Sequence, residues 1–538
     1  VSAAAIAGSD LAYLSAADLA RAYRARTITP VDVVEAHLAR IERLNRGLNA
    51  YISVASRSAL AGARRAAREM AAGRDRGALH GIPFAVKDQL TTRGLRTTAG
   101  SKALAAWTPS FDATAVARLR EAGAILLGKL NMTEFAFGEP RRYPYGMPRN
   151  PWNLAHETGG SSSGAGSALA AGMTTIAIGE DTGGSIRQPA AHCSVVGLRP
   201  TWGLVSRHGL LPGVWQLDTV GPMARTVLDT ALALQAIAGR DPLDPTSTSG
   251  AVPDYAASLR DGVRGLRAAI VKELLPGPGL DSDVEASVRT AIEVLRGQGL
   301  SVGEVSIPIV RDVWAIYSAF ADPEAAMTHG AYLRRRPGRL GPNLRIRLAT
   351  AMLIPAAIAR WGERVGAPAV RRQILQALEA YDVLLTPAVP APARPIRALP
   401  YSSPTKDQIM QTQIADRAYR GTFAFAGVPS LAIPCGFTSA GLPCSLQIVG
   451  RPLRDDVVLR VGYAYEQATP WHTRRPALDP AAPPPAATTP SGAASRGRRG
   501  RRRPPASLGT QAASATRRRP ARSRAARPGG TRGGRRRA

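Results

Sequence analysis

Gly159-Gly160-Ser161-Ser162-Ser163-Gly164, and then Gly179-Glu180-Asp181-Thr182-Gly183-Gly184-Ser185-Ile186-Arg187-Gln188-Pro189-Ala190, is the stretch on which the reading of this chain turns. It sets two glycine-flanked serines, Ser161 and Ser185, 24 residues apart. Thr174 to Ile178 reads as a strand running into the second loop. There the adjacent Gly183 and Gly184 let backbone N–H groups converge on one point, an anion-binding nest. Ser185 follows at once, and Ile186-Arg187-Gln188 begins a helix whose N-terminus faces the same point. Such a place suits a nucleophile beside its own oxyanion hole, where one well-aimed donor is worth about 10²–10³ in rate.

A serine hydroxyl needs a base. Seven histidines are present, none in a Ser-His-Asp setting; His192, seven residues past Ser185, is the one to check, and a structural role is expected for it. Lysine serves if it is neutral, because burial disfavours the ammonium and lowers its pKa. Lys87 ends the apolar run Ile82 to Val86, a place where such desolvation is expected. Read alone, Lys87-Asp88 is an ordinary ion pair at a strand end; the two serine loops favour the catalytic reading. Gly160-Ser161-Ser162-Ser163-Gly164 also satisfies G-x-S-x-G, the nucleophile elbow. That elbow requires a hydrophobic strand immediately before it, whereas Asn150 to Thr158 reads as a loop.

Outward from this centre, helix and strand alternate. Thr29 caps a helix with Pro30 at its first position. Leu38, Ile41 and Leu44 keep helical spacing, and Gly47 marks the stop. An Ala- and Arg-rich helical stretch runs to Gly73, Ala115 to Arg120 reads as a helix, and Ala124 to Leu127 as a strand. Ser167 to Ala171 is a small-residue helix. Ser282 or Asp283 caps a helix carrying Val284, Val288, Ile292 and Leu295, and a strand from Val302 to Ile307 follows. Asp312 to Gln376 is mostly helical, and the residues shaping a substrate pocket are expected after Leu300. This alternation predicts an α/β architecture with a mixed sheet.

Composition bounds the rest. Cys193, Cys435 and Cys444 have no metal-ligand spacing and read as buried thiols in a reducing cytoplasm. No apolar run approaches the ~20 residues of a membrane span, and Val1 to Ser9 lacks the basic segment of a signal peptide. The initial Val fits an alternative start codon or a trimmed chain. The net charge of +31 is concentrated: sixteen arginines between Arg496 and Arg537 leave +15 for the remainder. Residues 481–538 lack the bulky apolar residues a core needs and are expected to be disordered. The tail reads as an inert extension, with non-specific electrostatic binding of nucleic acid as its rival role.

Together these blocks resemble the amidase signature family. The similarity extends to Gly81-Ile82-Pro83-Phe84-Ala85-Val86-Lys87-Asp88, Gly128 to Phe135, Asn150 to Asn153, Gly197 to Thr201, Asp218 to Met223 and Gly441 to Ile448. It covers about Leu11 to Pro476. Departures are mild: Ser163 and Ser445 stand where Gly is usual. The resemblance implies one α/β/α domain, residues 8–480, around a mixed twisted sheet, with no cofactor and no metal. It implies Ser185 as nucleophile and acyl carrier, Ser161 as the bridging cis-serine, and Lys87 as the neutral base. The N–H groups from Thr182 through Gly183 and Gly184 to Ser185 would form the oxyanion hole, with Ser162, Asp181 and Arg187 supporting. The implied activity is hydrolysis of a small-molecule carboxamide to acid and ammonia or amine, in the cytoplasm; a homodimer is allowed.

One branch of the family is the A subunit of glutamyl-tRNA(Gln) amidotransferase, which hydrolyses glutamine and passes ammonia to a partner. It tends to carry an acidic Asn-Asp pair before a Gly-x-Pro block. Here Arg417-Ala418-Tyr419-Arg420 precedes Gly427-Val428-Pro429 instead, which favours a stand-alone amidase. The amidotransferase component is the alternative, and nucleic-acid binding through the Arg-rich tail is the alternative of another class.

Overall fold

The computed structural model describes residues 10–138, 143–396 and 406–478. The strands are β1 (Tyr51–Val54), β2 (Pro83–Lys87), β3 (Ile125–Leu130), β4 (Arg149–Asn150), β5 (Asn153–Glu157), β6 (Ile176–Asp181), β7 (Val196–Arg199) and β8 (Thr219–Ala224). They continue as β9 (Arg267–Val271), β10 (Ser301–Val305), β11 (Val383–Pro387), β12 (Ser430–Phe437) and β13 (Pro443–Gly450). Eleven of them form one sheet in the order β1-β3-β2-β6-β8-β7-β12-β13-β11-β9-β10. Pairing is mixed: β3, β2 and β6 run parallel, β6 meets β8 antiparallel, and β11, β9 and β10 run parallel again.

Alternation along the strands shows why the sheet sits between layers. Phe84, Val86, Ile176 and Ile178 enter one apolar core. Ala85 and Ala177, one residue out of step, enter another core on the opposite face, as the two-residue side-chain period of a strand requires. Covering both faces with apolar contacts is what lets parallel strands persist.

Eight helices matter to the site: α1 (Pro30–Leu48), α2 (Ser163–Ala170), α3 (Arg187–Cys193), α4 (Ser282–Gly297), α5 (Val313–Arg335), α6 (Pro342–Ala351), α7 (Ala367–Ala380) and α8 (Lys406–Ala426). α1 begins as expected, with Thr29 and Asp32 forming a reciprocal capping box and Pro30 at the start, but it stops on left-handed Asn49 rather than at Gly47. α2 starts four residues earlier than expected, at Ser163. It lies against the chain around Ala50 and Asn131 so closely that a Cβ at Gly164 would stand 2.2 Å from the Ala50 carbonyl oxygen; only glycine fits. Asp281, not Ser282 or Asp283, caps α4. The helical region after Asp312 resolves into α5, α6, α7 and shorter turns. Asn150 to Thr158, expected as a loop, contains the two-stranded pair β4–β5, set apart from the main sheet. Five of its seven side chains are polar (Arg149, Asn150, Asn153, His156 and Glu157), so the pair has no apolar alternation to read. The tail from residue 481 lies outside the described residues.

Candidate active site

β2 and β6 are adjacent parallel strands, with Val86 opposite Ile178, so their C-terminal ends stand side by side. Open α/β sheets bind ligands beyond that edge, and here it carries Lys87 from β2 and Glu180-Asp181 from β6. Lys87 is fully buried. Its Nζ lies 2.7 Å from Ser161 Oγ, 2.8 Å from Glu180 Oε2 and 3.1 Å from the Glu180 carbonyl oxygen. Burial pushes the Lys87 ammonium below its ordinary range, against the pull of the Glu180 carboxylate.

The neighbouring Asp88 takes no part in this. It accepts from the Thr98 N–H and hydroxyl and faces Lys129 Nζ at 3.9 Å. The strand-end ion pair suggested by the sequence therefore splits, because successive side chains of a strand leave on opposite faces.

The two serine loops meet at this edge. The Ser162 N–H donates to the Ser185 carbonyl at 3.1 Å, and Ser162 Oγ donates to the Glu180 carbonyl at 3.1 Å. Ser162, the serine that the elbow motif would make the nucleophile, is thus buried and committed to holding the loops together. The Gly160–Ser161 peptide is cis. Ser161 and Ser185 both line a cavity of about 480 Å³, together with Thr182, Gly183 and Gln188.

A buried charge cluster shapes the turn that carries Ser185. Asp181 Oδ1 accepts from the Gly184 N–H at 2.8 Å and Oδ2 from the Ile186 N–H at 3.1 Å. The same carboxylate binds Arg187 Nε and Nη2, each at 3.0 Å, and Arg199 Nη1 at 3.2 Å. Burial alone would raise the Asp181 carboxyl; the two guanidiniums outweigh it and hold it far below the usual carboxylate range. Gly184 adopts φ +113 within this turn, a conformation glycine takes without strain. Its N–H was expected in the oxyanion hole and is instead spent on Asp181. Arg187 also reaches Gln447 Oε1 at 2.8 Å and the Arg420 carbonyl at 3.0 Å, which ties the turn to β13 and α8.

Much of the cavity wall comes from α5, α6 and α8, in the region after Leu300 where pocket residues were expected, and Thr133, Phe137 and Glu157 add to it from before that point. Tyr317 and Asp322 come from α5, Arg347 from α6, and Asp416, Arg417 and Arg420 from α8. Arg347 binds Asp322 at 2.9 Å and stacks on Phe137, with 3.6 Å from Cζ to the ring centroid. Asp416 faces Arg420 at 3.4 Å and Arg394 at 3.6 Å. Arg417 has a ring as its partner, with Cζ 3.8 Å from the Tyr317 centroid. His192 is buried, and burial pushes its imidazole down to about 3; it does not line the cavity. The three cysteines are buried and unpaired.

A family model described as Amidase matches residues 32–459. The chain belongs to the amidase family. Among curated relatives, it is 41% identical over 488 residues to the glutamyl-tRNA(Gln) amidotransferase A subunit of Roseiflexus sp. strain RS-1, covering 86% of this chain and 98% of that one. Among solved structures, the peptide amidase of Stenotrophomonas maltophilia superposes with a TM-score of 0.73 at 34% identity, covering 86% and 98% of the two chains. The glutamyl-tRNA(Gln) amidotransferase A subunit of Thermotoga maritima gives a TM-score of 0.70 at 31% identity over 86% and 96%. Family membership and fold make this chain an amide-directed hydrolase with a large mixed sheet.

Sequence reading brought Lys87, Ser161, Ser162, Asp181, Thr182, Gly183, Ser185 and Arg187 to one place, and the fold gathers all of them. It missed Glu180 and Asp218. Glu180 is signalled only as a charged residue at the end of an otherwise apolar strand, where full burial demands a partner.

Proposed function

We propose that the chain hydrolyses a carboxamide through an acyl-enzyme on Ser185. The observation that carries this reading is Lys87 Nζ, fully buried and 2.7 Å from Ser161 Oγ, with both serines facing one cavity. As the neutral amine, Lys87 takes the Ser161 proton while Ser161 takes that of Ser185, whose Oγ attacks the amide carbon. The N–H groups of Thr182, Gly183 and Ser185 receive the developing oxyanion. Ser161 returns a proton to the departing nitrogen, ammonia or an amine leaves, and water attacks the ester by the reverse relay.

On the identity of the amide, the curated relatives weigh toward the glutamyl-tRNA(Gln) amidotransferase component, with glutamine as the amide and its ammonia passing to a partner protein. A second reading, the stand-alone amidase, is favoured by the cavity wall. It sets four arginines (Arg347, Arg394, Arg417, Arg420) against three carboxylates (Glu157, Asp322, Asp416). Asp322 and Asp416 are already bound to arginines, which leaves little to receive the ammonium of an amino acid. The test is turnover of glutamine, benzamide, indoleacetamide and short aliphatic amides, with an ester as control, by the native chain, Ser185→Ala and Lys87→Ala. Amide turnover lost in both variants supports the mechanism, and full activity in either refutes it. Glutamine as the preferred amide supports the amidotransferase reading; indifference to glutamine supports the stand-alone one.

A further inference from the structure

Behind Lys87 lies a chain of buried oxygens that ordinary hydrogen bonding does not satisfy. Thr182 Oγ1 is 2.6 Å from Glu180 Oε1 and 2.7 Å from Asp218 Oδ1. One hydroxyl carries one hydrogen, so it donates to one carboxyl only. The other short contact needs a hydrogen supplied by a carboxyl. All three side chains are buried, Glu180 and Asp218 fully, where an unshared pair of acceptor oxygens is costly. The two carboxyls therefore hold one hydrogen between them, as closely placed acids do.

Both ends are built for either state. Glu180 Oε2 faces Lys87 Nζ at 2.8 Å. Asp218 receives the Val214 N–H at 2.9 Å and the Gly213 N–H at 2.7 Å, so it can hold charge. Burial and the nearby Glu180 push the Asp218 carboxyl well above its usual range, so it can also hold a proton. Lys87 has three partners: an ammonium donates to all three, while an amine donates to the two Glu180 oxygens and offers its lone pair to Ser161.

We propose that Glu180, Thr182 and Asp218 form a proton relay that moves negative charge toward Lys87 when it becomes cationic and away when it is neutral. With Lys87 neutral, the shared hydrogen rests on Glu180 Oε1 and is donated to Thr182, whose own hydrogen goes to Asp218. When Lys87 takes the Ser161 proton, Glu180 gives its hydrogen to Thr182 Oγ1 and Thr182 passes its own to Asp218 Oδ1. Two O–H bonds break and two form; the new ammonium then faces a carboxylate. Glu180 is thus a positioning residue, and the inference rests on the serine–lysine reading above.

The other charged and titratable groups nearby are committed. Asp181 is bound to Arg187 and Arg199, and Asp88 faces Lys129. Arg207, on the Asp218 side, faces Asp244, and Arg417 lies over Tyr317.

The test is the pH dependence of Ser185 inactivation by phenylmethylsulfonyl fluoride, which needs no natural substrate. The acidic limb reports the loss of the free amine. Asp218→Asn leaves Glu180 ionised beside Lys87 and moves the limb up by about one unit or more; Glu180→Gln removes the carboxylate and moves it down by a similar amount. Thr182→Val follows Asp218→Asn, and Thr182→Ser, which keeps the hydroxyl, restores the native limb; this pair carries the test if Asp218→Asn does not fold. Limbs that stay put, or move together in the two carboxyl variants, overturn the relay alone. A native chain whose Ser185 is not labelled, or is labelled with the same profile in Lys87→Ala, overturns the serine–lysine reading and the relay with it.

Discussion

Asp181→Asn removes one charge and almost no volume, yet it should be among the most destabilising single changes in this chain. The carboxylate accepts from the backbone N–H groups of Gly184, Ile186 and Arg187 and from the side chains of both Arg187 and Arg199, with Asp181 and both arginines fully buried. Asparagine keeps one acceptor oxygen and turns an N–H₂ toward the donors that faced the other. Two guanidiniums are then left buried without an anion. Removing one partner of a buried pair costs about 3–5 kcal/mol. Arg187 retains Gln447 Oε1 and the Arg420 carbonyl, and Arg199 retains the carbonyls of Leu217 and Ala424, so we place the loss near ~4 kcal/mol. Against a total of about 5–15 kcal/mol for a folded domain, that is severe.

Urea unfolding measures it. With a slope of about 3 kcal/mol/M for a large domain, the midpoint falls by roughly 1–1.5 M. The sign with pH follows from a folded pKa held below the unfolded one. The contribution is fully present above the unfolded value of about 3.9 and is lost as pH falls through the folded value. The native chain therefore loses this increment in acid, and the Asn variant has none to lose. A loss under about 1 kcal/mol at neutral pH would refute the account of the cluster.

Two further outcomes are expected. Burial pushes Glu466, which accepts the Val227 N–H, up to about 8. The native state then binds more protons than the unfolded one between the unfolded value and about 8, so stability falls as pH rises across that window; Glu466→Gln should flatten the fall in unfolding midpoints from about pH 5 to 8, and equal slopes would contradict it. Deleting the chain after Pro484 should leave turnover unchanged, and a large loss would show that the Arg-rich tail serves the reaction.

What the sequence conveyed, and what it did not, divides along physical lines. The cap at Thr29-Pro30, the strand ending at Lys87 and the Gly183-Gly184 turn are written locally, in residues a few positions apart. The Lys87–Glu180 contact joins positions 93 residues apart and depends on β2 and β6 being neighbours in the sheet, which no periodicity within either strand encodes. The same holds for α8, whose Arg417 and Arg420 reach the cavity from late in the chain. The β4–β5 pair escaped for a different reason: its strands are short and polar, and β5 takes backbone partners from late in the chain, the Glu157 N–H donating to the Arg394 carbonyl at 2.9 Å and the Ile396 N–H to the Ala155 carbonyl at 2.7 Å.

The central claim is that Ser185 carries the acyl group and Lys87 makes it reactive. The most direct measurement is acid-quenched reaction with p-nitrophenyl acetate followed by peptide mass spectrometry. The account predicts an acetyl group on Ser185 in the native chain and its loss in Lys87→Ala. Acetyl on Ser161 or Ser162 instead, or undiminished labelling of Ser185 without Lys87, would contradict it.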